Sequence, residues 1–434
     1  DDNTAMGDNA LVFNTTGSSN TGLGSLALYA NTTGNNNVAV GALSLKSATT
    51  ANENTAVGYS AMEENTTGLY NSALGFKALE ANVSGERNTA IGRQALTNST
   101  GSQNTAVGMN CLYENTNGQY NTAVGSRALL NNTTADNNTA VGTDCAMNVT
   151  TGVGNTAVGK GAFLTSTTGD NNVSIGKDSM QDNTSGGNNV AIGFNALADN
   201  VTEDGLTAVG YKALRLSTSG IYLTAVGYNA LTANTTGNRN TAVGYEAATD
   251  ITTGASNVSI GSFSLYKATT ANNNTAVGHT ALENTTGAEN TAVGASCMNS
   301  NTTGTNNVAV GKSALSASTT GDQNTAVGRE AGASNTTSSH NTYIGNESFK
   351  NGTGGGNTGC GSQSGESATS GNYNTLIGYN SGQNLTTGSN NLFLGYEAGI
   401  TGSPNGNHTT HSNRIVLGNS NITNAHIKVD WTVT

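Results

Sequence analysis

One arrangement of apolar and polar positions recurs along the whole chain, and "NTAVGYSAMEENTTGLY" (residues 54–70) is a fair sample of it. A Thr-Ala-Val triplet leads to a glycine, a small-then-large apolar pair follows three and four residues later, and a polar "NTTG" closes the unit. The glycine ending each "NTAVG" falls at Gly7, Gly24, Gly41, Gly58 and Gly75, and so on to Gly378, Gly395 and Gly418, in steps of 17 or 16 residues until a last step of 23. Helix-hairpin repeats need about 33 residues and propeller blades about 40. Seventeen residues fit one coil with two short strands and two turns. The pattern therefore predicts an all-β fold, a parallel β-solenoid or β-roll of 16–17-residue coils.

The columns of the repeat suggest which way each residue faces. The residue before the marker glycine is apolar throughout (Met6, Leu23, Val40, Val57, Leu74, Ile91, Val107, with Cys360 as a variant). Two places earlier stands Thr, exchanged for Val at Val38, Val173, Val190, Val258 and Val308. In a strand these two positions share a face, and that face is read as the solenoid's own core. Between them, on the opposite face, a small residue (Ala5, Gly22, Ala39, Ala56) persists as far as Ala326, which suggests close approach by another backbone. The "AL" pair predicts a second strand, with Leu11, Leu28, Leu45, Met62 and Leu79 as its large members. "NTTG" predicts a turn whose glycine (Gly17, Gly34, Gly68, Gly85) is left-handed, and stacked Asn side chains predict hydrogen-bonded ladders.

So few large apolar residues per coil make a thin core, and two non-polar faces per strand call for further copies of the chain in a closed cyclic assembly. The expectation is a homotrimer, intertwined or side by side, with the large column inside and the small column between chains. At a strand spacing near 4.8 Å, about 25 coils would give a rod roughly 120 Å long.

The pattern changes near residue 330. Gly332, Gly365, Gly382 and Gly399 take over the large column, with Phe349 intervening, while Tyr343, Leu376 and Phe393 fill the small one. Filled and empty columns cannot stack unchanged, which divides the chain into a repetitive shaft (1–330), modified coils (331–400) and a C-terminal tip segment (401–434). The tip holds an enlarged loop with the single proline, Pro404, and ends in "ITNAHIKVDWTVT" with the single tryptophan, Trp431.

Composition narrows the class. Of 434 residues 10% are charged, 58 are glycine and one is proline. Disordered chains are usually rich in charge and proline, so regular uncharged structure is favoured. A net charge of −11 without any basic run argues against nucleic acid. No segment approaches 18 consecutive apolar residues, so no membrane insertion is expected. The chain opens on "DDNTAMG", inside a repeat, which predicts a further N-terminal region.

Candidate chemistry is sparse. Cys111, Cys145 and Cys297 fall in the Ala place of the "AL" pair and Cys360 in the Val column, places for small buried apolar residues rather than for a metal or disulfide. His408 and His411, as "HTTH", are the one metal-like spacing, and a solvated loop is the preferred reading. His279 and His340 read as surface residues. Carboxylates stand adjacent (Asp1 and Asp2, Glu63 and Glu64) or scattered two places after the marker glycine (Glu246, Glu330, Glu347, Glu397), without the cleft that a glycosidase pair requires. No phosphate loop is present, so neither an enzyme nor a cofactor is predicted. The sequons at Asn31, Asn65, Asn137 and Asn234 are what an Asn/Thr-rich repeat makes by chance.

The repeat "NTAVGxxALxxNTTG" resembles those of bacteriophage tail-fibre proteins, especially of phages infecting cyanobacteria, and more loosely the "NSxAxG" heads of trimeric autotransporter adhesins, whose fold is a trimeric left-handed parallel β-roll. The end, "NRIVLGNSNITNAHIKVDWTVT", is similar to the segment preceding an endosialidase-type intramolecular chaperone. In that family the chaperone trimerises the fibre and then cuts itself off, so the resemblance implies a self-processed fibre end at Thr434. It also implies a virion protein that joins other tail proteins through an N-terminal region and binds a host cell-surface glycan or protein. Weak sites repeated over three chains would act by avidity. Unique loops and aromatics carry recognition, so the expected receptor-binding residues are Pro404, Asn407, His408, His411 and Trp431, with Trp431 alternatively a buried plug. The rivals are a bacterial trimeric adhesin head, an ice-binding solenoid, disfavoured because its Thr row reads as half-buried, and a polysaccharide depolymerase.

Overall fold

The structure, a computed structural model, describes residues 2–401, 403 and 406–423. Pro404 and Trp431 lie outside the described residues. Two compact units divide the chain, Asp1–Val226 and Gly227–Thr434. The first holds strands β1 (Thr4–Met6) to β14 (Thr224–Val226), the second β15 (Thr241–Val243) to β25 (Ile415–Leu417). Every strand is three residues long, and within each unit each strand pairs in parallel with the next along the chain. Register follows the repeat: Thr139, Ala140 and Val141 meet Thr156, Ala157 and Val158 in the first unit, and Thr325, Ala326 and Val327 meet Thr342, Tyr343 and Ile344 in the second. Each unit is thus a parallel β-solenoid of 16–17-residue coils, and no helix occurs among the described residues.

The strand faces are opposite to the expectation. From β2 onward the middle residue of every strand is buried, and the Thr and Val columns on either side point outward. The alanine column is therefore the solenoid's own interior, and the Val column is its outer surface. The reason is space. The large member of the "AL" pair fills the coil from the opposite wall, and only a small residue fits in front of it.

The "AL" segment is not a second strand. Ala27 and Leu28 are both fully buried, whereas an extended segment would send neighbours to opposite faces. A left-handed backbone at Leu28 (φ 50°) brings both inside. The same conformation recurs at Leu45, Met62, Leu79 and Leu96, and at two further non-glycine corners per coil, such as Leu26 and Asn36. Left-handed residues cost roughly 1–2 kcal/mol each. Hydrogen bonds between coils offset this, since corner amides alternate between the coil before (Leu26 N–H to Asp8 O, 2.8 Å) and the coil after (Leu28 N–H to Ser44 O, 3.1 Å).

The glycine requirement also sits elsewhere than expected. The "NTTG" glycines do not have positive φ, whereas the marker glycines do, for example Gly142 at +140°. A Cβ on Gly142 would lie 2.6 Å from Gly159 O in the next coil. Only glycine accepts that φ together with that approach.

Two buried Asn ladders complete the interior. Asn37 Nδ2 donates to Ala51 O (2.7 Å) and Asn54 Nδ2 to Gly68 O (2.9 Å), while Asn37 Oδ1 accepts the Asn54 backbone N–H (3.1 Å). The "NTTG" asparagines stack likewise, with Asn82 Nδ2 donating to Asn65 Oδ1 (2.9 Å) and Gly85 O (3.1 Å). Leu206 and Leu223, both buried, replace the first ladder's Asn in the last two coils of the first unit.

Near residue 330 volume passes from one interior column to the other without a change of backbone pattern. Tyr343, Leu376 and Phe393 are fully buried. A Cβ on Gly332 would lie 2.7 Å from Tyr343 Cε2, one on Gly365 2.8 Å from Leu376 Cδ1, and one on Gly399 against the Phe393 ring. Gly332 (φ 58°) and Gly365 (φ 60°) keep the left-handed conformation of the leucines they replace. This exchange lies wholly within the second unit.

Candidate interaction face

The outward strand face is the most regular surface of each unit. The residue before the marker glycine is aliphatic in every coil except at Cys360, and it is never buried: Leu74 is 50% exposed, Ile91 39%, Ile260 41% and Ile344 41%. Beside it runs the Thr column, half-exposed in most coils and replaced by Val38, Val173, Val258 or Leu392 but never by a charge. Isolated exposed aliphatics are ordinary. An aliphatic row interrupted only at Cys360 is an apolar stripe of the kind that marks an interaction surface. The in-register backbone places each row directly above the last, so the face has one composition along each unit.

Of the expected receptor residues, Asn407, His408 and His411 fall on the enlarged coil of the second unit. Relative to the preceding "LTTG" (385–388), "HTTH" (408–411) occupies the same coil position after an insertion of six residues. Thr386 N–H and Oγ1 both donate to Thr409 O (2.6 and 2.8 Å). His408 takes the place of the inward "NTTG" asparagine and is buried, its ring 5.6 Å from that of Phe393 and 5.1 Å from that of His411. His411 takes the glycine place, is exposed, and its carbonyl accepts Asn391 Nδ2 (2.9 Å). The preferred solvated-loop reading is therefore corrected for His408, which packs as interior. Asn407 is exposed. Ser403 Oγ accepts Gly399 N–H (2.7 Å) and donates to Glu397 O (3.0 Å). Among the described residues no three His, Cys, Asp or Glu side chains gather where a metal could be held.

Cys111, Cys145 and Cys297 are buried, and burial pushes the Cys145 and Cys297 thiols up to about 12. Cys360 is exposed, correcting its assignment to the interior, because the Val column it occupies faces outward. His279 and His340 are exposed. Glu63 pairs with Lys46 (3.2 Å). Glu330 and Glu347 share Lys350 and Arg329 in one surface network, with Lys350 Nζ 2.6 Å from Glu330. The hydrogen bond from Lys350 holds Glu330 below the usual carboxylate range, and one from Gln363 does the same for Glu347. Asn31, Asn65 and Asn234 are fully buried and cannot carry glycan in the folded chain, whereas Asn137 is exposed.

One feature was absent from the expectations. A cavity of about 370 Å³ opens at a corner of the last coils of the second unit, lined by Tyr373, Asn390, Leu392, Asn413, Arg414 and Ile415 among others. Its sequence signal was available: Arg414 stands where other coils place an inward ladder Asn.

No protein-family model matches this chain, and no curated protein is significantly similar to it. No helix is long and apolar enough to cross a membrane among the described residues.

Proposed function

We propose that the protein is a non-catalytic attachment fibre, a homotrimer of β-solenoids of the phage tail-fibre kind that carries receptor-binding sites on a stiff scaffold. The observation that carries this reading is the outward aliphatic row. A solvated face would not keep Val, Ile, Leu or Met at one position through coil after coil, whereas a face packed against other copies of itself would. The partner is the same chain, since one repeated patch is self-complementary along its length. The ladder hydrogen bonds already close between successive coils of one chain, which supports copies side by side rather than intertwined. The contact column between copies is then Val and Ile, and the alanine column stays within each chain.

The Thr column points outward but stays only half-exposed in most coils, which still counts against an ice-binding face. The neighbouring row still mixes Val107 with Ile91, Leu74 and Met6, and side chains of unequal length suit packing better than a lattice. Thermal hysteresis is expected to be nil.

Light scattering tests the assembly. A mass near three times the 43.6 kDa chain is expected, falling toward one chain when Val141 and Ile175 are replaced by Lys. A wild-type mass of one chain removes the homotrimer. Attachment is tested by adsorption of the fluorescent protein to a panel of cyanobacterial strains and by its competition with phage for the same cells. A bacterial adhesin would adsorb without blocking phage.

A further inference from the structure

We infer that the corner cavity of the second unit is a binding site for a pyranose bearing a carboxylate. The site spans three coils. Tyr373, Asn390 and Asn413 occupy the same left-handed corner position in successive coils, at φ 57°, 56° and 60°. Their backbones are fixed by coil-to-coil bonds from Asn390 N–H to Asn372 O (2.9 Å) and from Asn413 N–H to Ser389 O (3.0 Å). Asn390 Nδ2 donates to Asn413 Oδ1 (2.7 Å), which sets the two amides side by side.

Arg414 gives the site its sign. In other coils this position is an Asn folded into the interior ladder, or Leu at 206 and 223. Arg414 keeps the backbone half of the ladder, donating its N–H to Asn391 Oδ1 (3.0 Å), but its side chain is exposed and lines the cavity. No Asp or Glu lines the cavity, and Arg414 forms no ion pair among the described residues. In a chain of net charge −11, that makes this corner a local cationic site.

The lining matches the parts of such a sugar. A guanidinium presents a planar fork that holds a carboxylate bidentately. Tyr373, 72% exposed, offers an aromatic face for the C–H side of a pyranose ring. The Asn390 and Asn413 amides suit hydroxyl groups, and Leu392 and Ile415 supply an apolar floor. The volume lies within the range of small-molecule pockets.

Saturation-transfer NMR on the full chain tests the site with methyl glucuronide, N-acetylneuraminic acid and methyl glucoside as probes. One or both acids are expected to bind, with the neutral glucoside at least tenfold weaker. The two acids distinguish a hexuronate from a sialic acid source. Arg414→Ala is expected to weaken acid binding about 10- to 100-fold, the range of a charged hydrogen-bonded contact, and Arg414→Lys less. Circular dichroism should leave the fold of both variants unchanged, since the side chain is exposed. Equal binding of the neutral sugar, no binding of either acid, or undiminished binding by Arg414→Ala overturns the inference. The attachment reading enters only as the source of the sugar. Acid binding by a chain that adsorbs to no cell upholds the site and overturns attachment, whereas adsorption by a chain that binds neither acid overturns the site alone.

Discussion

The exchange of volume between Gly332 and Tyr343 can be reversed. Tyr343→Ala removes a fully buried ring and should cost about 3–5 kcal/mol as a cavity. Gly332→Leu alone forces a side chain toward the ring, with its Cβ 2.7 Å from Tyr343 Cε2. Overpacking costs about 1–3 kcal/mol, and the left-handed backbone at φ 58° adds about 1–2 kcal/mol. Combined, the two changes restore the arrangement of the earlier coils, a small residue on the strand and a left-handed leucine opposite. The cavity and the overlap should then cancel, leaving about 1–2 kcal/mol for the backbone. The coupling between the sites is expected to be at least about 3 kcal/mol in favour of the double variant. Solenoids lose structure coil by coil, so the readout is hydrogen exchange at local amides. Suitable probes are Leu315 N–H, bonded to Ala331 O (3.0 Å), and Gly332 N–H, bonded to Ser348 O (2.9 Å). Protection should fall in each single variant and recover in the double. Additive losses would show that the two columns do not share one interior, and the argument from exchanged volume would fail.

Three further outcomes follow from burial. The Tyr343 hydroxyl is buried without a hydrogen-bond partner among the described residues, so Tyr343→Phe should raise local protection, by about 1 kcal/mol for a desolvated polar group removed, and a loss of protection would contradict it. At pH 8 a thiol reagent should label Cys360 alone in a dissociated chain and nothing where that face is covered, because Cys111, Cys145 and Cys297 are buried. The Cys145 and Cys297 thiols rise from 9.0 to about 12 on folding. Their contribution is therefore whole below about pH 9 and is lost as pH rises toward 12, and unfolding monitored by circular dichroism should ease over that window but not below it.

The period was legible because a marker glycine at φ near +140° against a neighbouring carbonyl, as at Gly142, tolerates nothing else. The turn chemistry was not. A left-handed leucine is costly on its own, and nothing in its side chain advertises it. Only the requirement that Ala27 and Leu28 both be buried shows that the segment cannot be extended. The candidate site was partly legible. "HTTH" in isolation has a metal-like spacing; set six residues back, it aligns with "LTTG" and is an ordinary coil position. Arg414 was visible as the charged member of an otherwise uncharged column, but its meaning needed the fold, which turns Asn391 inward and leaves Arg414 outside.

The inside–outside inversion had a remedy within the sequence itself. Exchange of Thr for Val does not say which way a strand residue points, because a half-exposed position in a tightly stacked parallel sheet accepts both. Compensation does say it. Where the large column empties at Gly332, Gly365, Gly382 and Gly399, the small column fills at Tyr343, Leu376 and Phe393, while the Val column (Val327, Ile344, Cys360, Ile377, Leu394) shows no matching gain. Two columns that trade volume must touch across one interior, since a close-packed core allows neither void nor overlap. A column that takes no part in that trade does not share the interior. The middle of each strand therefore belongs inside with the leucines, and the Val column belongs outside.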